Sequence, residues 1–140
     1  MRRYRPVLQI AVVSSCEYTA CALAERINER GQFVHVFASA KELCEFPQLQ
    51  VLDLVMLDRR PGFAMTLSAL RAYLRSISCY AMFCGLGRTQ GVIPAGVDYS
   101  ISMPLTDAEL GDVLDDVLHT LDGDLQSQRP EGESWQMMCQ

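Results

Sequence analysis

At 140 residues and 49% apolar content, the chain is long enough for one globular domain with a single core and too apolar to be disordered. A formal net charge of −5 argues against general nucleic-acid binding, which needs a basic face, even though Arg2, Arg3 and Arg5 crowd the N-terminus. No apolar run approaches the ~20 residues of a membrane span, and the start MRRYRPVLQIAVVSS lacks a cleavage site of the signal-peptide kind.

Residues 7–13, VLQIAVV, are short, apolar and β-branched, the pattern of a strand buried on both faces. Ser14-x-x-Glu17 reads as a capping box for a helix with Ala20, Leu23, Ala24 and Ile27 on one face, closed by Gly31. A second strand, 33–39, leads to the capping box Ser39-x-x-Glu42 and a short helix that Pro47 stops. The third strand, 52–57, ends on Asp58 and is followed by Arg59, Arg60 and Pro61-Gly62. Leu67, Leu70, Leu74 and Ile77 then share one helical face. A fourth strand at 80–84 runs into GLGRTQGVIPAG, 85–96, where four glycines and a proline leave room for a short helix at most. A weaker fifth strand covers 98–102. Thr106-x-x-Glu109 opens the strongest amphipathic helix, Leu110 to Leu121, with Asp112, Asp115 and Asp116 on its outer face and Gly123 at its end.

Helix-length crossovers between buried strands imply an α/β fold, a doubly wound, five-stranded parallel sheet with helices on both faces. The domain is expected to span 1–122, with 123–140 as a linker or tail. In such sheets the functional crevice lies at the carboxyl ends of the strands. That places Asp58, Ser14, Ser15, Cys84 and Met103 in or near it. The six cysteines, 16, 21, 44, 79, 84 and 139, contain no C-x-x-C pair, and His35 and His119 lie far from any cysteine pair. No metal site and no cofactor are expected, and the cysteines read as reduced thiols of a cytoplasmic protein. No nucleophile triad, glycine fingerprint or carboxylate cluster marks an enzyme.

Over residues 7–121 the chain resembles the receiver domain of two-component response regulators. LDLVMLDRRPG is similar to that family's third strand with its phosphorylatable aspartate. AGVDYSISMPLTDAEL is similar to the fifth strand, its Lys-Pro turn and the last helix. The resemblance implies the receiver topology with a shortened or missing fourth helix, and it makes Asp58 a vestigial phospho-acceptor. It also marks what has changed. The acidic pair that holds magnesium is replaced by Ser14 and Ser15, the hydroxyl residue of the fourth strand by Cys84 or Gly85, and the lysine by Met103. Neutral hydroxyls are poor magnesium ligands, and Met103 supplies no cation for phosphoryl transfer. Asp58 then has structural partners open to it: Arg59, Arg60 or Arg88, backbone donors, or water. A narrower likeness is to the N-terminal domains of flagellar master-regulator activators, where a linker leads to an ATPase domain; GESWQMM, 132–138, resembles such an opening.

Three functions follow. The first is a non-catalytic module of transcriptional or signalling regulation, acting on a protein partner or adjoining domain. It would use the fifth strand and last helix, with Asp112 and Asp116 at the interface and a homodimer as one arrangement. The second is a phospho-accepting receiver with a rewired Asp58 site, and the third is a small-molecule or redox sensor. No contact of this domain with nucleic acid or membrane is expected.

Overall fold

The computed structural model describes residues 7–59, 63–87, 96–102 and 105–127, with 122–127 as backbone alone. In chain order the elements are β1 (Gln9–Val13), α1 (Glu17–Glu29), β2 (Phe33–Phe37), α2 (Ala40–Cys44), a 3-10 turn (Leu49–Val51), β3 (Leu54–Asp58), α3 (Phe63–Ser76), β4 (Met82–Leu86), β5 (Tyr99–Ile101) and α4 (Asp107–Ser127). The sheet runs β2-β1-β3-β4-β5 and every pairing is parallel. This is the doubly wound arrangement expected from the sequence. The described residues carry four helices, which fits a shortened fold; residues 88–95, within the stretch where the fourth helix was expected to be shortened or missing, lie outside the described residues.

Strand alternation divides the core into two layers. Ile10, Val12, Leu54, Met56 and Cys84 point to the side of Leu23 and Ile27 of α1 and Leu110, Leu114 and Val117 of α4. Ala11, Val13, Val55, Leu57 and Phe83 point to the side of Leu43 and the α3 stripe Leu67, Leu70, Leu74. Because β1 and β3 are buried on both faces, their continuous apolar runs carry no period-2 signal.

At the amino edge of the sheet, side chains just before three strands satisfy main-chain donors of a neighbouring strand. Gln32 accepts from the N–H of Leu8, Asp53 from that of Gln9, and Asp98 from that of Phe83. The last two tie β3 to β1 and β5 to β4, and so fix the register that the opposite, carboxyl edge inherits.

The hydroxyl half of two of the three expected capping boxes forms, while the glutamates reach one residue or more further back, Glu42 to Ala38 and Glu109 to Ser102. Ser39 accepts from the N–H of Glu42 while Glu42 accepts from that of Ala38, and Thr106 accepts from that of Glu109. Gly31 follows the end of α1 with φ of +84°, a conformation that disfavours side chains with a Cβ. The first capping box does not form. Cys16, not Ser14, is the N-cap of α1, and the Ser14 hydroxyl is engaged elsewhere. Nor does Gly123 end the last helix: α4 continues through it to Ser127. A glycine inside a helix costs about 1 kcal/mol relative to alanine and does not by itself stop one. β4 lies two residues later than expected, because Gly85 is a ladder residue between Leu57 and Ser100 and not the start of the loop.

Candidate functional site

The order of strands reverses between β1 and β3, since β2 lies on one side of β1 and β3 on the other. Crevices in open α/β sheets form at the carboxyl ends flanking such a point. Here those ends are Ser14-Ser15 after β1 and Asp58 closing β3. They line a cleft of about 210 Å³ together with Ser39, Phe63 and Thr66.

Ser14 is 3% exposed and donates its hydroxyl hydrogen to Asp58 Oδ2 at 2.8 Å. The Ser14 hydroxyl oxygen in turn accepts from the Cys16 N–H at 3.1 Å. The hydroxyl therefore serves both as donor to a carboxylate, a bond roughly twice as strong as one between neutral groups, and as acceptor for the N–H of the residue that starts the helix. The serine thereby links β3 to the loop before α1. Asp58→Asn preserves an acceptor for this hydroxyl and is expected to cost about 1 kcal/mol in urea unfolding. A loss several times larger would mean that the negative charge itself holds the two loops.

Arg59 lies along β4. Its main chain donates to Leu86, and its Cδ stands 3.4 Å from where a Cβ on Gly85 would be. Its own Cβ is 3.4 Å from the corresponding point on Gly87, whose φ of +130° suits glycine. The guanidinium sits 5.5 Å from the centre of the Phe63 ring, a cation–π distance. Two glycines and one arginine therefore build the β4 side of this corner, where the resemblance places a hydroxyl side chain.

Cys84 is not part of the cleft. It pairs with Met56, two residues before the strand end, and faces α1 and α4 at 1% exposure. Burial, with a smaller push from Glu109, moves its thiol up to about 12, which removes the thiolate needed for redox chemistry. The residue opposite Asp58 is Leu86. The exposed thiol near the cleft is Cys16, which accepts from the Thr19 hydroxyl at 3.2 Å and is held below the ordinary thiol value mainly by that bond. Its place in the apparent capping box Ser14-x-x-Glu17 hid it in the sequence. Arg60, Arg88 and Met103 lie outside the described residues, as does 128–140 with its GESWQMM stretch.

Among the described residues no group of three His, Cys, Asp or Glu side chains is arranged to hold a metal ion. The oxygen donors lining the cleft at the strand ends are the Asp58 carboxylate and the hydroxyls of Ser14, Ser15, Ser39 and Thr66.

On the outer face of α4, Asp112, Asp115 and Asp116 are exposed. Asp116 accepts from the Tyr99 hydroxyl of β5 at 2.6 Å. Burial first, then this bond, raises the Tyr99 phenol above its ordinary value. At the helix start, Asp107 pairs with Arg26 of α1 at 2.6 Å. Asp112 is thus the cleaner of the two expected interface positions, because Asp116 also holds β5.

No family model matches the chain, and no curated protein does. Solved structures do. A CheY-like response regulator receiver domain from Methylobacillus flagellatus is 18% identical with a TM-score of 0.66, over 79% of this chain and 98% of that one. The receiver domain of the TMAO respiratory system response regulator TorR is 26% identical with a TM-score of 0.66, over 81% and 98%. NtrX from Brucella abortus, solved with ADP, is 18% identical with a TM-score of 0.70; the match covers 86% of this chain and 28% of that one. The chain has the CheY-like fold of response-regulator receiver domains.

Proposed function

We propose that the domain is a non-catalytic regulatory module that works through protein contacts, with a strand-end site that no longer supports magnesium-assisted phosphorylation. The observation that carries this reading is the Ser14–Asp58 hydrogen bond at 2.8 Å. Phosphoryl transfer to a carboxylate relies on a metal ion and on cations that neutralise developing charge. Here the carboxylate is engaged by a neutral hydroxyl from the loop where the resemblance places metal-binding acids.

The surface offered to a partner is the outer side of α4 with β5. Its exposed aspartates suit a basic surface on an adjoining domain or a separate protein. A homodimer through this same face would set Asp112 and Asp116 of two copies against their own kind, and like charges in contact are unfavourable. The likeness to NtrX over 28% of that chain supports a place as one domain of a longer regulatory protein. A cytoplasmic setting goes with that role. Among the described residues no helix is long and apolar enough to cross a membrane.

Incubation with acetyl phosphate and magnesium, read by intact mass, tests the proposal. The expected spectrum shows the unmodified mass for the wild type and for Asp58→Asn alike. A phosphate adduct on the wild type that is lost in Asp58→Asn would overturn the proposal in favour of a phospho-accepting receiver with a rewired site.

A further inference from the structure

We propose that the free edge of β2 is a self-association surface, joining two copies of this chain by antiparallel pairing about His35 into one continuous sheet. β2 is the outermost strand beside β1. Phe33 donates to Leu8 and Phe37 accepts from Ser14, so residues 33, 35 and 37 direct their main-chain groups inward. By strand alternation Val34 and Val36 direct theirs outward. Among the described residues nothing bonds to those outward groups.

Edge strands of monomeric proteins are ordinarily blunted by lysine, proline, a bulge or an inward charge. FVHVF has none of these. Phe33 is 60% exposed on one face of the strand, and on the other Val36 is 45% exposed and lines a shallow groove with Tyr18 of α1, itself 84% exposed. The apolar surface therefore continues from the strand onto the helix that covers it.

The sequence of the strand selects a second copy as the occupant. Phe33-Val34-His35-Val36-Phe37 reads the same in both directions. A two-fold axis at His35 sets Val34 opposite Val36 of the other copy, and the outward donors and acceptors of both then exchange hydrogen bonds. On the α1 side valine meets valine. On the other side Phe33 meets the second copy's Phe37, beside the existing contacts of Phe46 with His35 at 4.8 Å and with Phe37 at 5.4 Å. Matched aromatic and β-branched cross-strand pairs are the favourable ones in antiparallel sheets. An unrelated strand or peptide would satisfy the main chain but not match both faces. The acidic face of α4 lies on the far side of the sheet order, so this association leaves the proposed partner surface open and rests on separate residues.

Sedimentation equilibrium of the full chain tests the inference. The wild type is expected to dimerise, Val36→Lys to be monomeric with an unchanged thermal unfolding midpoint, and Asp112→Arg to remain dimeric. Register is tested with His35→Cys in a background of Cys16→Ser, Cys21→Ser and Cys139→Ser. Oxidation is expected to give a cross-linked dimer of doubled intact mass, because the axis brings residue 35 against its own copy. A wild type that stays monomeric at high concentration, a dimer that survives Val36→Lys, or a dimer lost in Asp112→Arg would each overturn the inference. So would a His35→Cys chain that sediments as a dimer but does not cross-link.

Discussion

Leu114→Ala is expected to remove roughly 2–5 kcal/mol of stability. Leu114 is 2% exposed and belongs to the core layer that α4 shares with α1, β1, β3 and β4. Truncation deletes apolar contact on a helix whose neighbours are held in register by the sheet, so the site collapses only in part and a cavity remains. Domains of this size have about 5–15 kcal/mol in total, so the loss is a large fraction of it. Urea unfolding should show a lower midpoint at an unchanged slope. A loss below about 1 kcal/mol would mean that α4 is docked more loosely than its burial indicates. Asp112→Arg, two residues away on the outer face, should move stability by about 0.5 kcal/mol or less. Comparing the two separates packing from partner contact on the same helix.

Most of the fold was legible because the sequence repeats its signals. Ser39 and Thr106 precede glutamates at the capping spacing, Gly31 closes α1, and the Leu67, Leu70, Leu74 stripe faces the sheet. Strand boundaries were less legible. Buried parallel strands lack alternation, so the end of β4 was inferred from glycine alone. Gly85 instead continues the ladder, with Arg59 and Phe63 at contact distance from where its side chain would be. That two-residue displacement is what put Cys84 in the crevice on paper and in the core in three dimensions.

The site was half legible. Asp58 stood out as a carboxylate ending an apolar run, and Ser14 and Ser15 as its neighbours across the crevice. What the sequence hid was the bond between them. Ser14-x-x-Glu17 satisfies the capping pattern, and the pattern carries no trace of a carboxylate 44 residues away that accepts from the same hydroxyl. The place of Cys16 beside the site was hidden for the same reason, since the pattern puts it at N2 and it is the N-cap instead. Local patterns show local partners; a charged partner brought in by the sheet lies outside them.

Ser14→Asp is the sharpest test of what the serine does. The introduced carboxylate would stand about as close to Asp58 as the present hydroxyl, which is 2.8 Å away, at a position only 3% exposed. Two carboxylates so placed cannot both ionise without strain, and one of them takes up its proton at higher pH than it does in the unfolded chain. A raised carboxyl value in the folded state makes the penalty full at neutral pH. It fades as pH falls through the raised value, because the folded state then binds the proton first. The loss at pH 7 should be on the order of 2 kcal/mol. Magnesium should reverse it, since two carboxylates supply the hard oxygen ligands that one carboxylate and a hydroxyl do not. Thermal unfolding of both proteins, at pH 5 and pH 7.5 and with or without millimolar magnesium, gives the answer. The variant should gain stability from acid or from magnesium and the wild type from neither to a comparable degree. If magnesium raises the wild-type midpoint as much as the variant's, the strand ends already hold the ion and Asp58 regains its standing as a phospho-acceptor. If it raises neither, the two loops are not set to share a metal even when the charge is supplied, and the distance between this site and a phosphorylatable one is more than a single side chain.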